Sequence, residues 1–152
     1  MKKKLFFLPI ILTTLSLTSC FGDDEWKKEF GTPELFLSQV GDYSLVYLYG
    51  ADNNNRGEDI DYEIRNALLE AAPFTETNIK SSEAERYFTY QAFWQPATSG
   101  PNFCNMSVYD DGFIKIHHKK SLGPNQYVYF TMDEAKATSI VDMVFAKITP
   151  SE

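Results

Sequence analysis

The chain has 152 residues carrying 21 acidic and 14 basic side chains, a formal charge of −7. A balance this acidic, with no basic cluster beyond Lys119-Lys120, excludes the electrostatic grip that nucleic acid or an anionic lipid surface requires. The length suits one compact domain, and a domain of this size buries about two-thirds of its unfolded surface, so neither a metal nor a disulfide is needed for folding.

Lys2, Lys3 and Lys4 precede an apolar run from Leu5 to Leu17, within the roughly 7–15 residues of a secretory h-region. Crossing a bilayer takes about 20 apolar residues, and Pro9 would kink such a span. Leu17-Thr18-Ser19-Cys20 closes the run. Residues 1–20 together resemble the signal peptide and lipobox of a bacterial lipoprotein precursor. The resemblance implies that the Cys20 thiol takes a diacylglyceryl group, that a lipoprotein signal peptidase cuts after Ser19, and that the new amino group is often acylated as well. Two or more acyl chains anchor stably where one binds only marginally. The alternative is a secreted protein whose Cys20 pairs with Cys104. Loss of Lys2, Lys3 and Lys4 with the signal takes the formal charge from −7 to −10. An Asp after Cys20 would argue for retention in an inner membrane, and Phe21 stands there instead. The expected location is therefore extracytoplasmic, at the outer membrane or cell surface if the host has two membranes. Asp23, Asp24 and Glu25 loosely resemble an acidic surface-export tether, and read more simply as a solvated flexible linker between lipid and domain. The expected divisions are a signal over 1–19, a lipidated N-terminus and flexible tether over 20–31, and a single α+β domain over 32–152.

Along the mature chain, Thr32 and Pro33 suit the N-cap and first position of a short helix reaching about Gln39. Tyr43 to Tyr49 has strand composition, and Gly50 to Gly57 is a polar loop. Ile60, Ile64, Ala67, Leu68 and Ala71 share one face of a helix predicted over Asp59–Ala72, stopped by Pro73. Thr75 to Ala84 reads as loop or a ragged turn. Arg86 to Trp94 alternates as a strand with Phe88, Tyr90, Ala92 and Trp94 on one side, followed by a loop holding Pro96, Gly100 and Pro101.

Phe103 to Lys119 is the clearest hairpin. A two-residue turn at Asp111-Gly112 would pair Val108 with Lys115 and mix apolar with charged side chains. A three-residue turn, Asp110-Asp111-Gly112 with Gly112 left-handed, pairs Val108 with Ile114, Met106 with Ile116 and Cys104 with His118. One-residue slips invert every side chain, so the apolar pattern selects the second register. A strand over Gln126–Thr131 follows, and Thr131-Met132-Asp133-Glu134 reads as a capping box for the last helix. Ala137, Ile140, Val141, Val144, Phe145 and Ile148 form that helix's apolar stripe. The expected fold is α+β: about five mostly antiparallel strands, the C-terminal helix on the Cys104-Met106-Val108 face, and a second helix after the first strand.

Candidate chemistry is sparse. Cys104 beside His118 supplies the thiol and base of an activated nucleophile, without a third group to orient the imidazole. His117 and His118 point to opposite sheet faces, and Cys104 with His118 gives only two of the ligands a zinc site wants. Asp52, Asn54, Gly57 and Glu63 fall at EF-hand-like positions, but Arg56 stands where an oxygen ligand should. Tyr109, Phe113, Tyr127 and Tyr129 are placed on one sheet face with Asn105, Ser107 and Lys115, fit to stack a sugar or hold a protein. That face is lost if the helix over Asp59–Ala72 covers it. The sequence thus leads to a lipid-anchored, non-enzymatic binding or assembly module of the cell envelope. It would be monomeric, need no cofactor, and take an envelope protein or surface glycan as partner. The alternative is a small enzyme using Cys104 and His118.

Overall fold

A computed structural model describes residues 25–39, 45–49, 56–57, 62–80, 84–94, 102–121 and 123–148, with 45–49, 56–57, 91–94, 102–103 and 148 described by backbone alone. The described chain runs α1 (Lys27–Phe30), α2 (Pro33–Gln39), β1 (Leu45–Tyr49), β2 (Arg56–Gly57), α3 (Tyr62–Glu70), β3 (Thr75–Glu76), β4 (Tyr87–Trp94), β5 (Asn102–Tyr109), β6 (Phe113–His118), a 3-10 turn (Gly123–Gln126), β7 (Tyr127–Thr131) and α4 (Glu134–Ile148). The strands form one sheet in the order β2-β1-β4-β5-β6-β7-β3. Every pairing is antiparallel. Five strands are long and two are two-residue edge pieces, so the fold is α+β as the strand pattern predicts.

The β5–β6 hairpin adopts the register selected by its apolar alternation: Val108 opposes Ile114, Met106 opposes Ile116 and Cys104 opposes His118. Gly112 takes φ +84° and its amide donates to the Tyr109 carbonyl at 3.1 Å, the left-handed close of a three-residue turn that a side chain would resist. The next pairings carry the same alternation outward. Phe88 and Tyr90 lie against Val108 and Met106, and Phe130 and Val128 against Ile114 and Ile116.

All four described helices put side chains into the core on this face: Phe30 from α1, Phe36 and Leu37 from α2, Ile64 and Leu68 from α3, and Val141 and Val144 from α4. Helix α4 crosses β5, β4 and β1, its Ala137, Ile140, Val141 and Val144 all buried. Arg65 Nε donates to the Leu37 carbonyl at 2.8 Å, tying α3 to the end of α2.

Two expectations are corrected. The tether was expected to reach residue 31, yet Trp26 is 0% and Phe30 2% exposed, both within the core. Four residues apart, they lie on one face of a short helical turn, so burial of two large aromatics outweighs the acidic, uneven composition around them. The second concerns the α4 cap. Thr131 belongs to β7, and Asp133 Oδ1 instead accepts the Lys136 amide at 2.9 Å. Asp133→Ala is expected to cost about 0.5–2 kcal/mol, and Thr131→Ala less, both measured by urea denaturation. Equal losses would return the cap to Thr131. By contrast, Thr32 Oγ1 accepts the Leu35 amide at 3.2 Å, the N-cap contact expected ahead of Pro33.

Candidate functional site

Alternation along four strands sets a second population of side chains on the sheet face opposite the helices. Tyr87 and Thr89 of β4 oppose Tyr109 and Ser107 of β5. Ser107 and Asn105 oppose Lys115 and His117 of β6, which oppose Tyr129 and Tyr127 of β7. The rings make a continuous arc. Tyr87 stacks on Tyr109 at 4.6 Å between centroids and Tyr109 meets Phe113 at 5.6 Å. Phe113 stacks on Tyr129 at 5.7 Å, Tyr129 on Tyr127 at 6.0 Å, and Tyr127 on His117 at 4.5 Å. Inside the arc the floor is polar: Thr89, Ser107, Asn105 and Lys115.

The helix after the first strand does not cover this face, since Ile64 and Leu68 of α3 join the core on the other side of the sheet. Two hollows open on it. One of about 200 Å³ is lined by Tyr87, Thr89, Asn105, Ser107, Lys115 and His117. The other, of about 230 Å³, is lined by Lys80, Tyr109, Phe113, Lys115, Tyr127 and Tyr129. Lys115 belongs to both.

The floor's polar groups differ in how they are satisfied. The Thr89 and Ser107 hydroxyls bond each other at 2.8 Å. Asn105 is 9% exposed and its Oδ1 has no hydrogen-bond partner among the described residues. An acceptor left this way costs about 1–3 kcal/mol, which an apolar residue on the strand would avoid. Burial pushes the His117 imidazole below its ordinary range, opposed by the hydrogen bond its ring donates to the Gln126 side chain, while like charge from Lys115 and Lys119 acts in the same direction as burial. Burial, then the charge of Asp111, then Tyr129 hold the Tyr109 phenol above its usual range. Both rings are therefore neutral near pH 7, and lysine supplies the charge on the floor.

Among the sequence candidates, Tyr109, Phe113, Tyr127 and Tyr129 come together as one surface. Sequence reasoning missed Tyr87 and Thr89, because the β4–β5 register spans a long loop that no short-range signal fixes. It also missed Lys80, whose Nζ lies 5.7 Å from the Tyr129 centroid.

Cys104 and His118 are cross-strand neighbours as predicted, but on the core face. Cys104 is 0% exposed, and burial, followed by the charge of Glu29, pushes its thiol far above the usual range. His118 is 4% exposed, stacks on Trp26 at 5.4 Å, and its Nδ1 accepts the Ser121 amide at 3.1 Å. These contacts fit the imidazole into the packing between sheet and α1. Folded protein is expected to resist a thiol reagent at neutral pH until denatured, and rapid labelling of Cys104 without unfolding would reopen the nucleophile. The sign of the linkage is fixed by the raised thiol pKa: its contribution to stability is intact below about pH 8.5 and is lost as pH rises beyond it.

Glu63 of α3 pairs with Lys147 at 2.7 Å, both partly exposed, while Asp52 and Asn54 lie outside the described residues. Among the described residues no three His, Cys, Asp or Glu side chains group as metal ligands, and no helix is long and apolar enough to cross a membrane. Cys20 precedes the described residues. No protein-family model, curated protein or solved structure matches the chain.

Proposed function

We propose that this is a lipid-anchored extracytoplasmic protein of a bacterial envelope whose domain binds a partner through the aromatic sheet face. The anchor rests on residues 1–20 alone: three lysines, a short apolar run, and Leu17-Thr18-Ser19-Cys20. Binding rests on one observation, the arc of six aromatic rings around a polar floor on a face to which no described helix contributes. Tyrosines there offer apolar area with polar tips, the combination that suits a surface meeting a partner in water. Burial of Cys104 in the core favours this non-enzymatic role over the thiol enzyme.

Two measurements test the two halves separately. Mass spectrometry of the chain from its native host is expected to find Cys20 N-terminal and carrying acyl chains; an intact Met1 or an unmodified Cys20 removes the anchor. Tyrosine footprinting is expected to show Tyr109, Tyr127 and Tyr129 protected in the envelope relative to purified protein. Tyr62, 60% exposed on α3, is the internal reference. Equal labelling of all four in both states removes the binding surface.

A further inference from the structure

Among the described residues, the charged side chains lining the two hollows are Lys80 and Lys115, in a chain with 21 acids against 14 bases. Of the acids nearby, Asp111 has Oδ1 turned to the Phe113 amide at 3.1 Å, and Glu76 lines the adjoining hollow that shares Lys80, Tyr127 and Tyr129 but lines neither of these two. Local charge thus runs opposite to the charge of the whole. Lys115 stands at the boundary of the hollows, where an anionic group held in either is within its range. Asn105 offers an acceptor with no donor among the described residues, beside the paired hydroxyls of Thr89 and Ser107. Few convergent polar groups inside an apolar rim are what fixes a small ligand. Hollows of about 200 and 230 Å³ are dimensioned for single rings rather than for a flat protein surface.

We propose that the aromatic face binds an acidic saccharide. Its carboxylate meets Lys115, a ring hydroxyl donates to Asn105, and its C–H surface lies against the tyrosine rings. Lys80 adds a second positive charge beside Tyr129. The occupant deepens, and rests on, the assignment of this face as a binding surface.

The full chain in detergent micelles is titrated calorimetrically with trigalacturonate and with uncharged galactotriose. Trigalacturonate is expected to bind at least tenfold tighter at low salt, and to lose that advantage as salt screens the contact. Lys115→Met is expected to bring the acidic sugar to the level of the neutral one while circular dichroism stays unchanged. Asn105→Leu is expected to weaken both sugars, while Thr138→Ala on α4 leaves both unchanged. Equal affinity for the two sugars, an acidic preference that survives Lys115→Met, or no binding by either overturns the acidic saccharide. Should that happen while the tyrosines remain protected in the envelope, the binding face stands with a different occupant. If protection is absent too, both fall.

Discussion

Trp26→Ala is expected to remove about 3–5 kcal/mol of folding stability, a large share of the roughly 5–15 kcal/mol a domain commands. The indole is fully buried, stacks on His118 at 5.4 Å with planes 13° apart, and belongs to the same cluster as Met106 and Ile116. Its Nε1 is buried without a hydrogen-bond partner among the described residues, so part of what the ring contributes by filling space is already offset. Trp26→Phe, which keeps an aromatic body and removes the orphan donor, should therefore cost much less than Trp26→Ala. Urea denaturation of the two variants measures the difference. A loss below about 1 kcal/mol for Trp26→Ala would make residues 25–31 a linker after all. Truncation gives the same discrimination: a chain starting at Glu25 should match the longer protein, and one starting at Thr32 should lose both Trp26 and Phe30.

Gly112→Ala carries the second large effect, about 2–5 kcal/mol, for two separable reasons. At φ +84° any L side chain is strained, and the added Cβ would lie 2.6 Å from the Met132 carbonyl oxygen. That oxygen cannot swing aside as a flexible side chain would, because the Met132 amide is itself held by the Gly112 carbonyl at 2.9 Å. Gly123 provides the comparison. It has φ +63° with nothing within 4 Å of its virtual Cβ, so Gly123→Ala should show the conformational cost alone, about 1–2 kcal/mol. The gap between the two variants in the same denaturation measurement is the steric contribution. Equal losses would mean that the junction between the β5–β6 turn and α4 yields without cost.

The hairpin was legible because two local signals agree. Asp110-Asp111-Gly112 limits the turn, and only one register puts Met106, Val108, Ile114 and Ile116 on a common face. The last helix was legible from its apolar stripe, though not its cap: Thr131 and Asp133 are both good cap residues, and the one still extended in β7 cannot serve. Trp26 and Phe30 were hidden by the charged residues between and around them. Their four-residue spacing was the available signal, but it spans only one helical turn. The aromatic site was half visible. Three of its strands follow one another through short turns, so Tyr109, Phe113, Tyr127 and Tyr129 could be placed together from alternation. Tyr87 and Thr89 depended on a pairing across residues 95–101. Which side of the sheet α3 occupies is decided by packing with Trp26, Phe36 and α4, and nothing within α3 itself encodes that choice.

Locking Trp26 into the core also sets the length of any leash to the membrane. From Cys20 to Trp26 is six residues, at most about 20 Å of extended chain. A domain held by acyl chains on Cys20 would thus ride close above the headgroups instead of sweeping a wide volume. Partners of the tyrosine face would then be met near the lipid surface, not far out from it.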